Sequence, residues 1–128
     1  MGRRPAQRPV STKFLLFWLP ILLYVGLIFI LSAQSDLKPP IKFPQSDKLM
    51  HLLEYGVLGL LLARAIHAVW PRLTPAALLS LCIGIAIGTG DELFQSTVAG
   101  REPSALDLLA DTLGVGLAQL VHRAIKRG

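Results

Sequence analysis

Three short runs place ionisable and amide side chains at helical spacing. Asp47, Lys48, His51, Glu54 and Tyr55 fall within an arc of about 120° when wound at roughly 100° per residue. Asp91, Glu92 and Gln95 repeat the i, i+1, i+4 pattern, and Asp107 and Asp111 share one face of a third run. His51 is the natural general base of the set, because an imidazole titrates near neutral pH. Glu54 or a carboxylate from the second run would orient it, which makes His51, Glu54, Glu92 and Asp107 the candidates for catalysis. Lys48 and Arg101 suit a phosphate or carboxylate, whereas Asp91, Glu92, Gln95 and Asp107 suit hydroxyl or amide groups. No nucleophile motif accompanies the histidine: Ser32, Ser35 and Ser96 lack recognisable contexts. One histidine among carboxylates is sparse for zinc, which usually shows more His or Cys, so no metal and no cofactor is expected.

The elements that must carry these residues are apolar. The 128 residues are 52% hydrophobic and 16% charged, with mean hydropathy +0.54, where a soluble domain carries about 25% charge. A helix needs roughly 20 apolar residues to cross a bilayer, and residues 14–31, 49–70, 75–95 and 106–125 qualify as four candidates. The fold class is therefore all-α, an integral membrane four-helix bundle over residues 14–125. Residues 1–13 form a basic tail and 126–128 a short second tail. Four spans leave no room for a soluble module.

The polar runs all sit at one end of their stretches. Arg3, Arg4, Arg8, Lys13, Arg64, Arg72, Arg123, Lys126 and Arg127 gather at the other, against Lys38, Lys42, Lys48 and Arg101. Cytoplasmic loops are enriched in Lys and Arg, so the N- and C-termini are expected to be cytoplasmic and the polar runs to face outward. The net charge of +5 then reports topology and contact with membrane lipid, and nucleic acid is not expected as a partner. A charge at the bilayer centre costs roughly 2.5–3.5 kcal/mol. These groups lie off centre, yet still prefer one another to lipid, so a shared polar pocket is expected. Asp36, Lys38, Lys42 and Glu102 read as solvated interfacial residues, and Asp47, Lys48 and Asp91 suit an ion network as well as a site. Glu54 and Asp111 lie a turn deeper. His67 and His122, at the basic end, read as incidental.

Local signals add detail. Pro20 should kink the first helix, and the prolines at 39, 40 and 44 mark an extended outer loop. Thr74 is a plausible N-cap with Pro75 at the first helical position, and Ser104 with Asp107 resembles a capping arrangement. Ala76, Ser80, Gly84 and Gly88 recur every four residues, as do Ala110, Gly114 and Ala118. Such stripes let membrane helices approach closely and are read as packing within the chain rather than as a dimer face. Cys82 is alone, so no intrachain disulfide forms. The first stretch reads as an uncleaved anchor rather than a signal peptide.

The motifs also carry a resemblance. Ser32-Ala-Gln34-Ser35 closes the first stretch, and Asp47-Lys48-x-x-His51-x-x-x-Tyr55-x-x-x-Gly59 opens the second. Asp91-Glu92-x-x-Gln95, then Gly100-Arg101, then Asp107 with Gly114, complete the order. From about residue 31 to 120 the chain resembles the VanZ family of bacterial membrane proteins. It departs at Ala99, where members often have Pro, and at Asp111, where they often have Asn. The resemblance implies a multi-pass protein of the bacterial cytoplasmic (inner) membrane with a cell-envelope role. Through the founding member it implies an influence on susceptibility to the glycopeptide teicoplanin. Its motifs, with the polar runs, nominate Gln34, Asp47, Lys48, His51, Tyr55, Asp91, Glu92, Gln95, Arg101, Asp107 and Asp111 as a ligand-binding set.

Three functions stay open on these residues. The first is binding of an extracytoplasmic ligand, a lipid-linked envelope precursor or a glycopeptide. The second is a membrane-embedded hydrolase or transferase. The third is ion or proton transport, for which the basic half offers no continuous relay.

Overall fold

The computed structural model of the chain describes residues 6–7, 9–34 and 43–128. Arg3, Arg4, Arg8, Asp36, Lys38, Lys42, Pro39 and Pro40 lie outside them. The described residues form four long helices and no strand: α1 Val10–Ser32, α2 Ser46–Val69, α3 Leu73–Gln95 and α4 Ala105–Arg127. The first three are long and apolar enough to cross a membrane, α3 from Thr74 onward. α4 is as long as α3, but Asp107, Asp111, Gln119 and its basic C-terminal turn lower its hydropathy.

Several boundaries differ from those expected. Pro20 lies just past a π-helical segment of α1, Phe14–Trp18, with Leu19 between them. A proline offers no donor to the carbonyl four residues back, and the wider π turn lets that carbonyl reach one residue further. α2 starts at Ser46, behind Gln45 in the left-handed region (φ 66). α3 starts at Leu73 with Arg72 as its N-cap, so Thr74 does not cap it and Pro75 is the third helical residue. Pro75 is harmless there, because the first four N–H groups have no intrahelical partner. Ser104 does occupy the N-cap of α4, but its side chain makes no capping bond.

The helices run alternately up and down. Tyr24 of α1 meets Glu54 of α2, and Phe17 meets Arg64. Phe29 packs on Phe94 of α3 with ring centroids 5.6 Å apart. α2 and α4 are parallel and form the tightest pair, while α1 packs on α2 and α3. Ile21, Ile28, Tyr55, Leu58, Leu62, Ile66 and Val115 form the apolar core.

Both small-residue stripes are buried inside the chain. A Cβ on Gly59 would stand 2.7 Å from the Ala118 Cβ and 2.8 Å from the Val115 Cα, and one on Gly84 would meet the Val115 side chain. One on Gly114 would strike the Leu52 carbonyl and lie 2.9 Å from the Gly56 nitrogen. Gln119 seals the α2–α4 seam by donating to the Gly59 carbonyl at 3.0 Å.

α4 is inverted relative to a helix of a water-soluble protein. It buries Asp107, Asp111 and Gln119 among small residues and exposes Leu106, Leu109, Leu113, Leu117 and Leu120. Water would penalise that pattern; hydrocarbon favours it, because lipid solvates leucine and excludes carboxylates.

Candidate functional site

The polar stripes of α2, α3 and α4 meet at one end of the bundle. The α2–α4 contact at Gly114 brings Asp107 and Asp111 against the first turns of α2. His51 is held between them, with Nδ1 2.8 Å from Asp111 Oδ1 and Nε2 3.7 Å from Asp107 Oδ2. A carboxylate only accepts, so the short contact assigns the Nδ1 proton. Asp107 also takes an ion pair from Lys48, whose Nζ lies 2.6 Å from Asp47 Oδ2.

α3 supplies the second wall. Asp91 Oδ2 accepts from the Tyr55 hydroxyl at 3.4 Å and from Gln95 Nε2 at 3.3 Å, and the same amide donates to Ser32 Oγ at 3.1 Å. Glu92 Oε2 accepts the Ser104 backbone N–H at 2.9 Å. Glu92 thus takes the N-cap amide that Asp107 would take in a capping box, and ties α3 to α4.

The α3–α4 connection turns at Val98–Arg101, where Gly100 has φ 80 and the Arg101 N–H donates to the Val98 carbonyl. That φ at the third turn position calls for glycine. Ala99 is the second position, which favours proline in such a turn. Arg101 reaches back to the last carbonyls of α1, with Nε 3.4 Å from that of Ser32 and Nη2 3.5 Å from that of Leu31.

The fold therefore gathers Lys48, His51, Tyr55, Asp91, Glu92, Gln95, Asp107 and Asp111. Lys48 and Arg101 spend their charge on protein groups. The carboxylates on His51 come from α4, not from Glu54. Glu54 is half-buried, and its carbonyl accepts from the Tyr24 hydroxyl at 2.9 Å. Asp47 lies exposed at the rim, and Gln34 is exposed just past α1. Ser32, Tyr24 and Gln119 join the polar contacts without having been nominated as site residues. The signal for Gln119 was its amide eight residues beyond Asp111, on a face otherwise small or apolar.

Two features of the site bear on its chemistry. Asp91 Oδ1, Glu92 Oε1 and Asp111 Oδ2 are buried with no hydrogen-bond donor among the described residues. Ligand atoms of His51, Glu92 and Asp107 lie within 4.8 Å of one another, as do those of His51, Asp91 and Asp111.

The VanZ/LLP1 family model matches residues 14–126, across all four helices. The chain belongs to the VanZ/LLP1 family. Membership and three apolar helices together make it a membrane protein. No curated protein and no solved structure matches it.

The matched VanZ/LLP1 region also contains the basic end of the bundle. A cavity of about 480 Å³ is lined there by Phe17, Arg64, His67, Ala68, Pro71, His122 and Lys126. His67 and His122 stack with ring centroids 4.6 Å apart, and Arg64 lies over the Phe17 ring at 4.9 Å. Phe17, in the first half of α1, and Lys126, near the end of α4, share this cavity, so the start of α1 and the end of α4 lie at the same end of the bundle.

Proposed function

We propose that this VanZ/LLP1 protein resides in the bacterial cytoplasmic membrane with both termini cytoplasmic, and that its polar site faces outward and binds an envelope ligand. The ligand is a lipid-linked cell-wall precursor or a glycopeptide, and occupancy alters susceptibility to teicoplanin. The observation that carries the reading is the set of three buried carboxylate oxygens, on Asp91, Glu92 and Asp111, without donors among the described residues. Buried polar atoms are almost always partnered, and unmet acceptors suit the hydroxyl, amide or ammonium groups of such ligands. Lys48 and Arg101 support the walls of the site and are less available for a phosphate.

A second reading, hydrolase or transferase chemistry, is favoured by the position of His51 between Asp107 and Asp111. A carboxylate on Nδ1 fixes the tautomer and leaves Nε2 to accept a proton.

Native mass spectrometry of the detergent-solubilised protein tests the binding reading, beside the variant His51→Ala/Glu92→Ala/Asp107→Ala. The wild type should retain an envelope-derived mass that the folded variant lacks. A teicoplanin-sensitive host should grow at higher drug levels with the wild type than with the variant. Identical spectra together with identical susceptibility would end this reading.

A further inference from the structure

We infer that the polar site holds a divalent metal ion, ligated by His51 Nε2, Glu92 and Asp107, with Asp111 orienting the imidazole. This deepens the binding reading by placing an ion within the same site. Zinc or manganese ligands lie about 2.0–2.2 Å from the metal, so two of them fall roughly 3–4 Å apart. His51 Nε2 and Asp107 Oδ2 are already 3.7 Å apart. Glu92 brings a ligand atom within 4.8 Å of one on His51 and one on Asp107, and its Oε1 has no donor among the described residues while Oε2 is engaged by Ser104. Side-chain shifts of about an ångström complete the triad.

The alternative group of His51, Asp91 and Asp111 is equally compact, but Nδ1 would have to give up its 2.8 Å contact with Asp111. The first group keeps it. Metal-bound histidines regularly donate their other N–H to a carboxylate, which fixes the ring and strengthens the ligand. Asp111 occupies that place.

Charge argues the same way. Asp91, Glu92, Asp107 and Asp111 are all at least nine-tenths buried. Among the described residues, Lys48, shared between Asp47 and Asp107, is the cation in contact with the cluster, beside the imidazole of His51. A buried carboxylate without a partner costs several kcal/mol. A divalent ion would supply two positive charges between the helices that carry the excess. One imidazole with two carboxylates suits Mn²⁺ or Zn²⁺ better than Ca²⁺, which prefers oxygen alone, or Cu⁺, which prefers sulfur. Three protein ligands leave positions open to a phosphate, hydroxyl or water.

The test is metal binding to chelator-treated protein in detergent, with Mn²⁺ followed by electron paramagnetic resonance and Co²⁺ by its visible absorption. The wild type and Cys82→Ser should bind one ion, with the Co²⁺ bands reporting nitrogen and oxygen ligation. His51→Ala and Glu92→Gln should each bind at least about tenfold more weakly while keeping wild-type helicity. Glu92→Gln is close to isosteric, so one variant survives if His51→Ala misfolds. Failure of the wild type to bind at millimolar ion, or equal binding by both variants, would overturn the inference. Repeating native mass spectrometry on the metal-free wild type separates the two proposals. An envelope ligand retained without metal, by a protein that binds none, leaves the binding reading standing and removes the ion. An ion bound by a protein that holds no envelope ligand does the reverse.

Discussion

At the scale of the residue, Asp111 is the informative position. It is fully buried, its Oδ1 engages His51, and its Oδ2 faces Gly88 without a donor among the described residues. Asparagine preserves the carbonyl acceptor and removes a buried charge. Asp111→Asn should therefore fold and melt in detergent at or above the wild-type temperature. Asp111→Leu should lose about 1–3 kcal/mol, because it leaves the imidazole N–H unpaired in a buried site. A melt in which the two variants coincide would show that the His51 contact contributes nothing. The residues of this cluster were legible in the sequence, but their pairing was not. Spacing i, i+3 set Glu54 beside His51, whereas the partners lie on α4. Spacing tells which side chains share a face and is silent on which helix that face meets.

At the scale of the element, the glycines set the geometry. The seam between α2 and α4 is closed at Gly114 against the backbone of Leu52 and Gly56, and neither can yield without moving a helix. Gly114→Ala should cost about 1–3 kcal/mol. Gly26→Ala, where a Cβ meets nothing within 4 Å, should change the melting temperature little. Equal melting of the two would mean that the seam is looser than described. Both stripes could be read beforehand because close approach of helices in lipid depends on small side chains every fourth residue. The π-helical segment before Pro20 could not, since a proline in a membrane helix is accommodated in several ways and sequence does not choose among them. Nor could the role of Glu92 as the acceptor for the Ser104 amide, because Asp107, three residues on, looked like its acceptor.

At the scale of the whole molecule, the bundle is polarised, with carboxylates at one end and Arg64, His67, His122 and Lys126 at the other. Composition revealed that asymmetry and the four helices directly. It did not reveal the basic cavity, whose walls come from three helices far apart in sequence. The inverted face of α4 bears on how the protein is made. α1, α2 and α3 are apolar enough to enter a bilayer on their own account; α4 must bring Asp107, Asp111 and Gln119 with it. Its entry becomes favourable once the Gly56–Gly59 groove of α2 is already in place to receive that face. The expected order of biosynthesis then has the last helix admitted by the second rather than by its own sequence. With the C-terminus cytoplasmic, as proposed above, a reporter fused after Gly128 and active only outside the cytoplasm should stay silent on the wild type. It should gain activity with Gly114→Leu, which blocks the groove and strands the C-terminus on the outer side. Silence in both would mean that the helix inserts unaided.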